Sequence, residues 1–294
     1  HVDFLEHYLS PFIHRFASAI REICSKALIG VAPPPEVAMH GEAFLQNPPE
    51  KIVNSSHWYD ELSVGLKRFR SWLSYDTTKN KLILGTNNVQ RMFTRQLAKI
   101  KALSQESNGG IPTIIGEFGL CFDLNNRKAY RLLKTNPTKA WKTHIKALNM
   151  YFNAIDANLL HSMLWNYTAD NNNTWGDQWN QEDFSVFSIS QQIDSSNIHS
   201  GGRAIEGFCR PYVIAVAGTP LSMNFSLKQK VFQFEFEADL NIKAPTIVYV
   251  PEFHYPKGFQ VVLPWWEHVD VGDDQLFAFF AKQSGVQELI IKPL

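Results

Sequence analysis

Apolar residues recur at helical spacing in three long segments of the chain, at about residues 2–25, 88–105 and 138–157. Within each segment they follow one another at intervals of three or four positions, which is the pattern of a helix with one buried face. Short apolar runs occupy residues 27–32, 51–55, 112–116 and 160–166. Strands that alternate with helices in this way are typical of a parallel sheet with crossover helices.

The periodicity changes after residue 211. Phe232, Phe234 and Phe236 alternate with polar residues, which is the pattern of a half-buried strand. Further apolar runs, separated by Gly, Pro and Asp, occupy residues 213–217, 222–227, 246–250, 259–263, 275–281 and 287–292. We therefore predict two domains, an α/β domain over residues 1–210 and an antiparallel β-sandwich over residues 211–294.

In two connecting segments the apolar residues follow neither helical nor strand spacing. Residues 61–88 mix charged and aromatic side chains, and residues 167–200 are polar and aromatic. Both segments are predicted to be long loops, and long loops in compact domains are often functional.

Charge and cysteine content narrow the function classes. The chain has 28 Lys and Arg and 28 Asp and Glu, so its formal net charge is zero. Proteins that bind nucleic acid or anionic membranes need a clustered basic surface, so a nucleic-acid partner is not expected. Cys24, Cys121 and Cys209 are far apart and odd in number, which indicates neither a disulfide framework nor a metal site. No cofactor is expected.

Distinctive side chains follow three of the predicted strands. His57 and Tyr59 come after the second strand, Glu117 after the third, and Trp165 with Asn166 after the fourth. In a parallel barrel these strand ends meet at one rim, where active sites gather. A carboxylate beside a phenol and an imidazole suits nucleophilic attack on a sugar, with tryptophan stacking on the sugar ring.

These motifs resemble glycoside hydrolase family 5. The resemblance rests on Gly116-Glu117-Phe118-Gly119, His57-Trp58-Tyr59-Asp60, Trp165-Asn166-Tyr167, the stretch from Trp175 to Asp183, and Arg210-Pro211-Tyr212. They are similar to the endoglycoceramidase-related branch, which includes fungal glucosylceramidases and steryl β-glucosidases. The resemblance implies the second half of a (β/α)8 barrel followed by the β-sandwich.

The resemblance also implies a retaining β-glycosidase with Glu117 as nucleophile. His57, Tyr59 and Asn166 are expected to line the sugar site, and Trp165 to be its stacking platform. Trp175 and Asp177 are expected to border the same pocket. A β-glycoside with a lipid aglycone is the implied substrate. The Trp265-Trp266 pair in the sandwich is a candidate for peripheral membrane contact, with packing between domains as the alternative.

One required group is missing from the sequence. Retaining hydrolysis needs a second carboxyl group as proton donor, and in this family it is the Glu of an Asn-Glu pair. No Asn-Glu dipeptide occurs in the 294 residues. We therefore expect the first half of the barrel, with the donor, upstream of His1 or in another chain. Two alternatives remain open, an endo-acting polysaccharide hydrolase of the cellulase or mannanase type and a non-catalytic carbohydrate- or lipid-binding protein.

Overall fold

The computed structural model describes residues 3–40, 44–45, 47–106, 109–273 and 275–294. The first part of the chain alternates helices with strands. Its strands are β1 (Ile29–Val31), β2 (Ile52–Asn54), β3 (Leu73–Asp76), β4 (Lys81–Leu84), β5 (Ile114–Gly119) and β6 (His161–Trp165). Its α-helices are α1 (Ser10–Ile23), α2 (Pro35–His40), α3 (Glu61–Leu66), α4 (Thr86–Glu106), α5 (Leu124–Thr135), α6 (Pro137–Ala140) and α7 (Lys142–Ala157).

The helix that the sequence predicts over residues 2–25 is built in two parts. A π-helical turn at Leu5–Leu9 continues directly into α1. Residue 2 lies outside the described part of the chain. Ile13 and Ala17 are the buried residues of α1 and face a small core that also contains residues of β1 and β2.

Four strands run parallel and lie side by side in chain order. β1 pairs with β2, and β5 pairs with β6. Isolated parallel bridges from Asn54 to Thr113 and from His57 to Glu117 connect β2 to β5. This is the parallel arrangement that the alternation of strands and helices predicts, and it brings the carboxyl ends of β2, β5 and β6 to the same edge.

Two connections around this sheet, at residues 61–88 and 120–136, contain regular elements that the sequence does not reveal. Residues 61–88 hold α3 and the antiparallel hairpin of β3 and β4. The second connection holds α5. The helix predicted at 138–157 follows it and is divided into α6 and α7. β4 is almost wholly exposed, and only three residues of α5 are buried, so neither has the apolar period of a core element.

The second part of the chain consists of eight antiparallel strands in two sheets. They are β7 (Tyr212–Ala215), β8 (Gly218–Ser226), β9 (Val231–Ala238), β10 (Thr246–Tyr249), β11 (Phe259–Val262), β12 (Trp266–Val269), β13 (Leu276–Ala281) and β14 (Gly285–Pro293). One sheet has the order β12-β13-β10-β7 and the other β11-β14-β9-β8. Phe232, Phe234 and Phe236 are fully buried in the core of this domain, as their alternation predicts.

β12 is the one sandwich strand that the sequence does not predict. It lies at the edge of its sheet, and its middle residues Glu267 and His268 are exposed. The Trp265-Trp266 pair lies at the start of β12, and its two side chains have different surroundings. Trp266 packs edge-on against Phe277, with ring centroids 5.1 Å apart, whereas Trp265 is 69% exposed.

The two parts of the chain have separate apolar cores that meet along α7 and β8. A buried ion pair lies at this contact, where Arg210 Nη2 is 2.7 Å from Asp156 Oδ2. Burial raises the pKa of Asp156 to about 6, and the charge of Arg210 opposes that rise. The division at residue 210 stays a prediction. None of the described helices combines the length and apolar character that a membrane span requires.

Candidate active site

Glu117 lies at an irregularity in β5. Ile115 is paired with Ser162 of β6 and Phe118 with Leu164, so β5 has one more residue than β6 between these pairs. Such a bulge rotates the side chains that follow it and is common beside active sites. Glu117 lies within β5, two residues before its end rather than after the strand as predicted, with 22% of its side chain exposed.

The two glycines of the Gly-Glu-Phe-Gly motif permit close approach of the neighbouring strands. A Cβ atom at Gly116 would lie 2.1 Å from Ser55 Oγ, and one at Gly119 would lie 2.3 Å from the carbonyl oxygen of Trp165. These distances are well below van der Waals contact, so the backbone around Glu117 tolerates no side chain at either position. The motif is therefore explained by packing on both sides of the carboxylate.

The His-Trp-Tyr-Asp segment after β2 is extended, so its side chains alternate in direction. Trp58 and Asp60 are buried, whereas His57 and Tyr59 are partly exposed. Trp58 Nε1 donates a hydrogen bond to Gln96 of α4 at 3.1 Å. The Trp58 backbone amide donates to the carbonyl oxygen of Glu117 at 2.9 Å, which fixes the segment against β5.

Asp60 fixes the same segment through hydrogen bonds of its side chain. Its carboxylate accepts hydrogen bonds from the hydroxyl groups of Ser63 and Ser74, the latter at 2.7 Å. Burial raises the pKa of Asp60, and these hydrogen bonds act in the opposite direction. Asp60 thus ties the segment that carries Tyr59 to both α3 and β3.

Tyr59 and His57 contact the Glu117 carboxylate directly. The Tyr59 hydroxyl donates a hydrogen bond to Oε1 at 2.6 Å, and His57 Nδ1 lies 3.7 Å from Oε2. Burial, followed by the hydrogen bond to Glu117, raises the pKa of Tyr59 far above its usual range. The phenol therefore keeps its proton and uses it to donate the hydrogen bond to the Glu117 carboxylate.

Trp165 and Asn166 end β6 beside Gly119. The Trp165 ring is partly buried and meets Trp179 edge-on, with ring centroids 6.0 Å apart. Asn166 Nδ2 donates to Asp177 Oδ2 at 3.3 Å, and Asn166 Oδ1 accepts from the Thr168 hydroxyl at 3.2 Å. Trp165 is thus placed beside β5, whereas the amide of Asn166 is bound within its own loop.

Asp177 is buried in the loop that follows β6. Its carboxylate accepts hydrogen bonds from Asn166, from Asn171 at 2.7 Å, and from the backbone amides of Phe184 at 2.8 Å and Ser185 at 3.3 Å. These partners occupy both oxygens, so Asp177 organises the loop. Trp175, by contrast, is 72% exposed. Direct substrate contact by either residue stays a prediction.

A second buried polar cluster supports the loop. Arg203 is fully buried, pairs with Asp183 at 2.8 Å, and donates to the Tyr130 hydroxyl at 2.9 Å. Its guanidinium group lies 4.2 Å from the ring centre of Phe122, which stacks in turn on His144. Burial, and then the charge of Arg203, lower the pKa of His144 to about 3, so this imidazole is neutral.

Two residues of the site were not predicted from the sequence. The Phe184 ring meets Tyr59 edge-on at 6.0 Å, and the charge of Glu182 contributes to the raised pKa of Tyr59. Both belong to the loop at 167–200, whose path depends on buried hydrogen bonds rather than on apolar periodicity. Within the described ranges, no group of three or more His, Cys, Asp and Glu side chains is arranged to hold a metal ion.

Comparison with known proteins identifies the second part of the chain. Residues 210–287 match the model of the glycoside hydrolase family 5 C-terminal domain. This region is similar to the C-terminal domain of family 5 glycoside hydrolases. The match begins at Arg210 and includes β7 to β13 of the sandwich.

Relatives of the family 5 domain extend the similarity to the first part of the chain. A glucosylceramidase from Rhizopus delemar is 27% identical over 280 residues, which cover 86% of this chain and 39% of that protein. An ergosteryl-beta-glucosidase from Saccharomyces cerevisiae is 26% identical over 199 residues, covering 63% of this chain and 25% of that protein. Together with the family 5 match, these relatives show that most of the chain is similar to glycoside hydrolases.

A solved structure shows the same fold. Sterylglucosidase 1 from Cryptococcus neoformans superposes with a TM-score of 0.85 at 24% identity, covering 100% of this chain and 45% of that chain. The chain therefore spans less than half the length of these relatives.

The close approach at Gly119 predicts a strong response to a single methyl group. Gly119→Ala should lower the free energy of unfolding by about 1–3 kcal/mol, because the added Cβ overlaps the Trp165 carbonyl oxygen. Gly65→Ala is the matched control, since no atom lies within 4 Å of its added Cβ in α3. Denaturant unfolding of both variants measures the difference. Equal stability would contradict the packing explanation of the motif.

The neutral, buried His144 predicts acid sensitivity. Below pH 6.5 the unfolded chain binds a proton at this imidazole, whereas the folded protein does not until about pH 3, so folding is disfavoured as the pH falls between these values. This residue should remove about 2 kcal/mol of stability between pH 7 and pH 5.

Denaturant unfolding at the two pH values tests this dependence. His144→Gln should reduce the loss of stability by that amount, and His161→Gln, at an exposed position, is the comparison. An unchanged pH dependence in His144→Gln would contradict the expected role of the buried imidazole.

Proposed function

We propose that the protein is a retaining β-glycosidase that hydrolyses β-glucosides of lipids, with Glu117 as its nucleophile. The observation that carries this proposal is the hydrogen bond from Tyr59 to Glu117 at 2.6 Å, at the carboxyl ends of parallel strands. The Tyr59 hydroxyl occupies Oε1 and leaves the second carboxylate oxygen, Oε2, available for attack.

The proposed reaction has two steps. Glu117 Oε2 forms a bond to the anomeric carbon while the bond to the aglycone oxygen breaks, giving a covalent glycosyl-enzyme and an alcohol. Water then attacks the same carbon and gives its proton to the second carboxyl group, which was ionised when it protonated the aglycone oxygen. The bond to Glu117 breaks, and the sugar is released with its original anomeric configuration. His57 and Tyr59 hold the carboxylate, and Trp165 provides the surface on which the sugar ring stacks.

The proton donor for this reaction is proposed to lie outside the 294 residues. A retaining enzyme places its two carboxyl groups about 5–5.5 Å apart, and one of them protonates the leaving group. The sequence contains no Asn-Glu pair to supply the family's donor. A carboxylic acid from the rest of the barrel would complete the site.

The parallel strands are accordingly proposed to be the second half of a (β/α)8 barrel, with the domain boundary at residue 210. Two features support this proposal. Within the described residues, β1 and β6 each have a parallel partner on one side. A cavity of about 560 Å³ adjoins β6 and is lined by apolar residues that include Leu164, Phe208 and Met223. Further strands and helices would cover both edges.

The lipid aglycone is proposed from the relatives. Their names, glucosylceramidase and ergosteryl-beta-glucosidase, join glucose to a ceramide and to a sterol. These aglycones share a hydroxyl group on a large apolar body. We propose the same substrate class here.

An endo-acting polysaccharide hydrolase is the second candidate, and one observation favours it. Trp175 and Trp179 are 72% and 49% exposed on the loop beside Trp165. A row of tryptophans can bind successive sugar units. Hydrolysis of cello-oligosaccharides in preference to glucosylceramide would support this candidate over the first.

In the full-length protein, which includes the proposed proton donor, Glu117→Gln should abolish turnover while preserving the fold, because the amide cannot form the covalent intermediate. We expect hydrolysis of fluorescent glucosylceramide to fall on the order of 10³-fold or more. Tyr59→Phe removes one hydrogen bond from the same carboxylate and should cost about tenfold to a hundredfold.

Glu206→Gln, at an exposed position, is the control and should keep full activity. Circular dichroism confirms that each variant is folded. Unchanged hydrolysis by a folded Glu117→Gln variant would overturn the assignment of the nucleophile.

A further inference from the structure

Three isoleucines project from one short segment of the loop after β6. Ile189 is 54% exposed, Ile193 95% and Ile198 91%. Exposed apolar residues are ordinary when they are scattered singly, but here three occur within ten residues of one segment. We name these three residues the isoleucine ridge.

The ridge is anchored to the same end of the parallel strands as Glu117. Val186 donates its backbone amide to the carbonyl oxygen of Asn166 at 2.9 Å, and Ile189 donates to that of Asn171 at 2.9 Å. On its far side, the His199 ring packs against Phe253 of the sandwich at 5.2 Å. The ridge therefore lies beyond the carboxyl end of β6, which carries Trp165.

The backbone beside the isoleucines has partners within the segment. The Ser200 hydroxyl oxygen accepts hydrogen bonds from the amides of Ile193 at 2.9 Å and Asp194 at 3.1 Å. Asp194 Oδ1 accepts from the amide of Ser196 at 2.9 Å, and the Ser200 amide donates to the carbonyl oxygen of Asn197 at 2.9 Å. Because these groups are already bonded, the segment can approach an apolar surface at little desolvation cost.

Charge restricts the kind of surface that the ridge can meet. Residues 167–200 contain no Lys or Arg, and three of their five acidic side chains, Asp170, Glu182 and Asp194, are not buried. Asp194 lies between Ile193 and Ile198 in the sequence, and hydrogen bonds from Ser196 lower its pKa. An acidic segment is repelled by anionic headgroups, so the attraction must come from apolar contact with uncharged or zwitterionic lipids.

We propose that the isoleucine ridge docks on the surface of an uncharged, glycolipid-bearing bilayer and presents the glycolipid headgroup to the site at Glu117. This inference rests on the proposed function, since a glycolipid substrate is embedded in such a bilayer. The ridge adjoins the rim where the headgroup would enter. The isoleucines would insert at the level of the headgroups, which is the depth that interfacial apolar side chains reach.

Trp265, the membrane contact expected from the sequence, lies at the other end of the sandwich. Trp266 pairs with Ala281, beyond the start of β10, whereas Phe253 follows the end of β10. Trp265 therefore lies at the sandwich end opposite Phe253. It serves as the matched control because it is also an exposed apolar residue.

Vesicle binding and two kinds of substrate test the proposal. The full-length protein, which includes the proposed proton donor, is sedimented with phosphatidylcholine vesicles that contain glucosylceramide, and hydrolysis is measured on these vesicles and on a water-soluble aryl β-glucoside. Ile193→Ser/Ile198→Ser should weaken vesicle binding at least about tenfold and lower vesicle hydrolysis in proportion. The same variant should hydrolyse the soluble glucoside at the original rate. Trp265→Ser should match the original protein in all three measurements.

Several results would overturn the inference. One is equal vesicle binding by the double serine variant, and another is loss of binding in Trp265→Ser instead. A third is binding that requires anionic lipid and disappears with added salt. Dimerisation that the serine substitutions abolish would show a second copy on the ridge and would also overturn it. Absence of soluble-glucoside hydrolysis by the original protein contradicts the proposed function, whereas vesicle binding still reports on the ridge.

Discussion

The close approach of three strand ends around Glu117 is the constraint on which the candidate site depends. Gly116 lies against Ser55 on one side, and Gly119 lies against the Trp165 carbonyl oxygen on the other. With both flanks closed, the extra residue of the bulge can only be accommodated by turning Glu117 toward the rim. The carboxylate then meets the Tyr59 hydroxyl, which reaches it from the neighbouring strand end.

The loop after β6 is held by polar rather than apolar contacts. The Asp177 carboxylate accepts hydrogen bonds from amide groups of the loop. Arg203 pairs with Asp183 and donates a hydrogen bond to Tyr130 of α5. Removing one partner from such a buried network leaves a charge or donor unsatisfied, so the network fixes a single path for the chain. That path sets Trp179 beside Trp165 and leaves the isoleucines of the ridge outside.

The sequence predicts those parts of the molecule whose pattern is set by apolar burial. The strand before Glu117 and the alternating phenylalanines of β9 are examples, because in each a row of apolar residues meets a core. The convergence of His57, Tyr59 and Glu117 follows from the shared direction of parallel strands. The buried position of Asp177 could not be predicted from the sequence. A buried aspartate and a substrate-binding aspartate are the same residue type and differ only in their hydrogen-bond partners. The exposed edge strand β12 was not predicted for the related reason that it buries little apolar surface.

Covalent labelling of the nucleophile tests the central claim most directly. A 2,4-dinitrophenyl 2-deoxy-2-fluoro-β-glucoside has a leaving group that departs without protonation, and its fluorine slows hydrolysis of the glycosyl-enzyme, so the intermediate accumulates. Peptide mapping of the inactivated protein is predicted to find the fluoroglucosyl group on Glu117 of β5. A label on any other residue, in protein that the reagent has inactivated, would contradict the account.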